Sequence, residues 1–307
     1  MNFIKMHGAG NDYVYIDCFQ QEVFGDIPAL ARNMSDRHTG IGADGLILIE
    51  PSLVADARMR MWNADGSPGE MCGNGIRCVA RYLFENHDMS DINRTEFSIE
   101  TAVGIKQLHV NQSHGEFQSA RVDMGEPIFD AKRIPTTLHG NPPTNEEIRL
   151  SGVETSPSSK ELEKLVNVTA VSMGNPHCVV FLDEISDDHV RHWGPLLEHH
   201  SAFPKRTNVE FVRVVSDDQL EIRVWERGSG ETLACGTGAC AAVVAAVLTE
   251  QTGQSVACHM RGGILHVEWE ETGTVLLTGP AEEVFRGEWR PSRENGEIGR
   301  GTEAENW

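Results

Sequence analysis

The sequence predicts an α+β protein of two pseudo-symmetric domains, each a mostly antiparallel, barrel-like sheet around a central helix, facing one another across a cleft. Three observations carry this expectation. Met71-Cys72-Gly73-Asn74-Gly75-Ile76-Arg77-Cys78 returns downstream as Ala234-Cys235-Gly236-Thr237-Gly238-Ala239-Cys240. Arg60-Met61-Trp62-Asn63 is echoed by Arg223-Val224-Trp225-Glu226 at the same offset, about 163 residues, which fits a duplicated domain and is far too long for a solenoid repeat. Residues 239–248 are apolar almost all round, so that helix is buried on every side, and runs of short alternating strands flank it.

Taken in order, residues 3–6 alternate as a strand and 7–12 read as a loop. Residues 13–17 are β-branched and aromatic, a second strand. A helix is expected over 27–36, with Pro28 suited to its first turn. The Gly-rich loop 39–45 leads into the strand 46–49. Another strand, 57–62, runs through a turn at 63–67 towards Cys72 and a helix with Val79, Tyr82 and Leu83 on one side. Short strands follow at 97–100, 105–110 and 119–124. Residues 128–164 turn polar, with Pro142-Pro143 and Ser156-Pro157, and predict a crossover carrying a mobile insertion at about 139–163. Met173-Gly174-Asn175-Pro176-His177 and the strand 178–183 then repeat Ala9-Gly10-Asn11 and its strand. Strands at 264–269 and 275–277 close the second half, and 290–307 has the composition of a disordered tail. The expected domains are 1–128 with about 279–289, and 129–278.

The chain of 307 residues carries a formal charge of −20, which disfavours nucleic acid and anionic membranes as partners. No apolar run reaches the roughly 18–20 residues of a membrane helix, and the first residues do not form a signal peptide, so a cytoplasmic location is expected. Seven cysteines, an odd number without C-x-x-C, argue against a disulfide framework or a zinc site. There is no P-loop lysine and no dinucleotide fingerprint, so neither cofactor nor metal is expected.

A cysteine at a helix start has its thiolate favoured by unpaired N–H groups and the helix dipole. Two of them facing one bound carbon suit a two-base reaction in the cleft: a thiolate removes a proton from one face, a thiol returns one to the other, and the centre inverts. Both Gly-x-Gly segments would present N–H groups to a neighbouring carboxylate, where negative charge develops.

Together with Asn11 in Gly-Ala-Gly-Asn-Asp, Asn63-Ala64-Asp65-Gly66, Gly174-Asn175-Pro176-His177, Thr207-Asn208 and Glu226-Arg227-Gly228, the two cysteine motifs resemble those of diaminopimelate epimerases, from residue 1 to about 289. The resemblance implies interconversion of LL- and meso-diaminopimelate in lysine and peptidoglycan precursor synthesis, without cofactor, by a homodimer. It makes Cys72 and Cys235 the acid/base pair and His177 and Glu226 the groups that tune them. Gly73, Asn74, Gly236 and Thr237 would hold the reacting carboxylate; Asn11, Asn63, Asn175, Asn208, Arg227 and the Glu226 backbone would hold the rest of the substrate. Phe285 stands where some members have a tyrosine at the dimer interface, and Gly45 where some have a substrate-binding glutamine.

Cys18, Cys78, Cys178, Cys240 and Cys258 lack the paired context and are expected to be structural. Two rival functions remain open on the residues alone. A proline or hydroxyproline epimerase would resemble Met-Cys-Gly-His at the first thiol, against which Asn74 stands. A metal- or redox-binding protein would need only the cysteines.

Overall fold

Strands buried on both sides explain much of the architecture. In Asn11–Asp17 and Gly45–Glu50, paired in parallel, the central residues 13–16 and 45–49 are all buried. Tyr13, Tyr15, Ile47 and Ile49 point to one core, while Val14, Ile16, Leu46 and Leu48 point to another. Alternation puts successive side chains on opposite faces, so a strand with helices on both sides reads as a continuous apolar run. The computed structural model describes residues 1–69, 71–86, 94–153 and 162–290.

Four α-helices lie among these residues: α1 (Ile27–Ser35), α2 (Gly73–Asn86), α3 (Gly194–Glu198) and α4 (Gly236–Leu248). The start of α1 is fixed by Asp26, whose Oδ1 accepts from Ala29 N at 3.0 Å, and by Pro28 in the first turn. Helices α2 and α4 are the inner helices of the two halves, and α1 packs outside the first sheet. A short π-helical turn, His189–Trp193, continues into α3 outside the second sheet, its Val190, Trp193 and Leu197 meeting Cys178, Val180, Val209 and Phe211.

The halves repeat strand for strand. Parallel pairing of Asn11–Asp17 with Gly45–Glu50 is matched by Pro176–Phe181 with Asn208–Ser216. That of Ala57–Asn63 with Glu96–Thr101 is matched by Gln219–Glu226 with Ser255–Met260. The remaining pairs are antiparallel, and the halves share one sheet, because Val275–Gly279 bonds Gly263–Trp269 on one side and Glu116–Gly125 on the other. Glu282–Glu288 returns to pair with the first strand, Asn2–Gly8.

The all-round apolar helix is as the sequence requires. Residues Ala239 to Ala246 of α4 are wholly buried, and each valine there stabilises the fold by about 1.5–3 kcal/mol. One expectation needs correction. The polar segment at 139–163 contains the strand Glu146–Val153, which pairs antiparallel with Leu162–Ser172 and sends Ile148 and Leu150 into the second core. The strand's alternation rests on Ile148 and Leu150 alone, too short a signal to stand out in the polar segment. Residues 154–161 and the expected disordered tail from 291 onward lie outside the described residues. No helix among the described residues is long and apolar enough to cross a membrane.

Candidate active site

The amino ends of α2 and α4 meet at the junction of the halves. An ideal Cβ on Gly236 would lie 3.7 Å from the Gly73 Cα, ordinary contact distance, so the two helix starts touch here; the tight neighbour is Leu277 Cδ2 at 2.9 Å. Each helix is preceded by a cysteine whose sulfur accepts from the N–H three residues on. Cys235 is extended (φ −124°, ψ 117°) and its Sγ accepts from Gly238 N at 3.4 Å; Cys72 Sγ accepts from Gly75 N at 3.3 Å. Both line one cleft of about 520 Å³, together with Asn11, Asn63, Gly73, Asn74, Asn175, Glu226, Gly236 and Thr237. That volume suits a small-molecule ligand.

Burial raises both thiols above their ordinary range. At Cys72 it is opposed by N–H groups of Gly75 and Asn74 and by the Tyr13 hydroxyl. Cys235 is pushed up further, by burial and then by the Glu226 and Glu210 carboxyls, with Thr237 and Gly238 opposing. Glu226 is itself raised by burial, and its Oε1 accepts from Thr232 Oγ1 at 2.6 Å.

Asn11 and Asn175, equivalent in the repeat, serve the two sulfurs differently: Asn11 meets Cys72 directly, and Asn175 reaches Cys235 through Thr237. Asn11 donates through Nδ2 to Asp44 Oδ2 at 2.7 Å, so its Oδ1 faces Cys72 Sγ at 3.1 Å and accepts from the thiol. Asn175 Oδ1 lies 3.0 Å from His177 Nε2, and its Nδ2 donates to Thr237 Oγ1 at 3.3 Å, which is 3.4 Å from Cys235 Sγ. Asn74 ties the halves together, donating to Ala234 O at 3.2 Å and accepting from Arg77 at 2.9 Å.

The other expected residues lie outside the cleft lining. His177 is wholly buried behind it, against Glu210. Asn208 uses its amide on Pro176 O and Arg227 N, both at 2.9 Å, bracing the loop that carries Arg227. Arg227 is exposed, its guanidinium 3.5 Å from Lys205 O. Phe285 is on the surface strand Glu282–Glu288, edge-on to Phe3. At Gly45 an ideal Cβ would fall 2.1 Å from Trp62 O, so this backbone leaves no room for a glutamine there.

Sequence reasoning missed four side chains at or behind the cleft: Tyr13, Asp44, Arg77 and Glu210. Arg77 is wholly buried between Gly73 O, Asn74 Oδ1 and Pro280 O, with no carboxylate partner among the described residues. A lone charge in the apolar run Asn208-Val209-Glu210-Phe211-Val212 was the signal for Glu210.

A doubled α+β fold with a cysteine opening each inner helix, both on one cleft, defines an isomerase of the epimerase class. Residues 3–129 and 169–284 match the profile of the diaminopimelate epimerase family. The chain belongs to that family. It is 49% identical over 290 residues to a diaminopimelate epimerase of Agathobacter rectalis, covering 94% of this chain and 99% of the relative. It is 46% identical over 290 residues to that of Methanococcus maripaludis, with the same coverage of each. Among solved structures, a hydroxyproline epimerase of Agrobacterium vitis with bound trans-4-hydroxy-L-proline has a TM-score of 0.64 at 15% identity, covering 94% of this chain and 90% of that one. A PhzF-family phenazine biosynthesis protein of Bacillus anthracis has a TM-score of 0.66 at 15% identity, covering 95% and 99%. These two likenesses show the fold.

Proposed function

We propose that this chain interconverts LL- and meso-2,6-diaminopimelate by a two-base mechanism without an added cofactor, in lysine and peptidoglycan precursor synthesis. The observation that carries it is the pair of cysteines, each opening an equivalent helix and both lining one cleft. One thiolate takes the α-hydrogen and becomes a thiol. The electron pair left on carbon takes the proton of the opposing thiol, which becomes the thiolate, so charge and proton count are restored. The developing negative charge spreads into the adjacent carboxylate, which the N–H groups at Gly73-Asn74 and Gly236-Thr237 would hold at two converging helix ends. The substrate ammonium would supply positive charge that the buried thiols lack, favouring the ionised sulfur only when substrate is bound. Asn11, Asn63, Asn175 and the Glu226 backbone line the space for the rest of the molecule, and Arg227 with its brace Asn208 would close on the distal carboxylate. His177 and the Glu226 carboxyl would tune Cys235. Strand pairing supports halves of 1–128 with 279–289, and 129–278. A cytoplasmic homodimer joined near Phe285, with no nucleic acid or membrane partner, completes the proposal.

The test is chiral separation of product formed from LL-diaminopimelate. The native chain forms the meso isomer, and Cys72→Ala and Cys235→Ala each lose at least about a thousandfold in rate, within the range for removing a general acid or base. Activity confined to proline derivatives, or retained in either variant, would sink the proposal.

A further inference from the structure

Glu210 lies on Asn208–Ser216 between buried Val209, Phe211 and Val212, and it is wholly buried. Its Oε1 is 2.7 Å from His177 Nδ1, and its Oε2 has no hydrogen-bond partner. An ideal Cβ on Gly238 would sit 2.8 Å from Oε1, so the last glycine of the second Cys-Gly-x-Gly turn leaves the space this carboxyl occupies. A buried carboxyl is expensive, and an apolar side chain would fill the strand position at lower cost.

We propose that Glu210 is a positioning residue: it fixes the proton arrangement of His177 so that a hydrogen-bond chain through Asn175 and Thr237 ends as a donor on Cys235. This rests on Cys235 being half of the acid/base pair. One proton lies between Oε1 and Nδ1, favoured because burial raises the Glu210 carboxyl. Whether that proton sits on the carboxyl or the imidazole, Nε2 then carries a hydrogen. A bare Nε2 would leave the pair with a net negative charge in the interior, near Glu226. The Nε2 hydrogen obliges Asn175 to turn its oxygen to His177 and its Nδ2 to Thr237. Thr237 Oγ1 accepts from that Nδ2, which leaves its own hydrogen for the Cys235 sulfur. The chain therefore offsets part of the burial that disfavours the Cys235 thiolate. Cys72 has an acceptor on Asn11 and takes its own hydroxyl donor from Tyr13, outside this chain. The other titratable groups near the chain are Glu226 beside Cys235 and His177, Cys178 beside Glu210, and Cys72 across the cleft.

The experiment needs no substrate, so its outcome is separate from whether diaminopimelate is turned over. Nitrogen NMR of labelled histidine in the native protein is expected to show His177 with Nε2 protonated; a bare Nε2 would overturn the proposal. Thiolate absorbance is then titrated in Cys72→Ser, and the curve of the Cys72→Ser/Cys235→Ser double variant is subtracted to remove the five other cysteines, which leaves Cys235. In that background Thr237→Val raises the Cys235 midpoint by about one pH unit, a tenfold loss of thiolate, while Thr237→Ser keeps it. Glu210→Gln keeps both the protonated Nε2 and the midpoint, because its amide can donate to Nδ1. Glu210→Leu loses the single tautomer and raises the midpoint. An unchanged midpoint in Thr237→Val, or an unchanged tautomer and midpoint in Glu210→Leu, would refute the chain. Should Glu210→Leu not fold, the native spectrum and the two Thr237 variants decide it.

Discussion

Gly238→Ala sets two effects of opposite sign against each other. Helix propensity favours alanine over glycine by about 1 kcal/mol in a helix interior. Against it, the new methyl would lie 2.8 Å from Glu210 Oε1, a wholly buried atom held to His177 at 2.7 Å. Relieving that overlap displaces the carboxyl and weakens a hydrogen bond of a kind that contributes about 1.5–3 kcal/mol. The net expectation is a loss of about 0.5–2 kcal/mol. The equivalent change in the first half, Gly75→Ala, would meet the Ile47 Cδ1 at 2.7 Å, the far end of an aliphatic side chain that can turn away. Gly75→Ala is therefore expected within about 1 kcal/mol of the native protein, propensity offsetting the repacking. Denaturant unfolding of both variants, followed by circular dichroism, measures the difference. Equal stabilities, or a Gly238→Ala protein more stable than the native chain, would refute the placement of Glu210 under α4.

Buried Cys78, raised to about 11 chiefly by burial, makes stability fall with alkalinity. Its contribution is complete below the unfolded-state value near 9 and is lost as pH rises towards 11, about 2–3 kcal/mol in all; Cys78→Ala should flatten the decline in unfolding free energy over that interval, and an unchanged slope would count against it. Phe285 is 45% exposed and packs edge-on against Phe3. If the dimer covers it, Phe285→Asp raises the dimer dissociation constant at least about tenfold, from the roughly 1.5–3 kcal/mol of a buried phenylalanine, and sedimentation equilibrium indistinguishable from the native protein would remove Phe285 from the interface.

The duplication was legible because both cysteine turns survive in the chain at one offset, and α4 because nothing on its surface is polar. The strand Glu146–Val153 was not, since its alternation rests on Ile148 and Leu150 alone before Ser151-Gly152. The outer helical segment from His189 was missed for a similar reason: its inward-turned Val190, Trp193 and Leu197 stand among exposed His192 and Arg191, and a charged residue, Glu198, is buried beside them. At the site, residues held by backbone turns could be read from the chain, and those that meet only through tertiary pairing could not. His177 and Glu210 meet because Pro176–Phe181 and Asn208–Ser216 run parallel in register, a fact that no local pattern contains. Arg77 sat inside the recognised motif, yet its burial against Pro280 depends on a segment about two hundred residues away.

Two opposed thiols exchanging a proton at one carbon is the central claim, and solvent deuterium in the first turnover tests it most directly. Each thiol holds a single proton, so a thiol that has just taken the α-hydrogen returns hydrogen to the face it came from, whereas the opposite thiol delivers deuterium. Starting from LL-diaminopimelate in heavy water, the meso product should carry deuterium at the inverted carbon while residual substrate remains unlabelled. Product that retains the substrate's own hydrogen, or label that enters residual substrate before product appears, would contradict the two-base account.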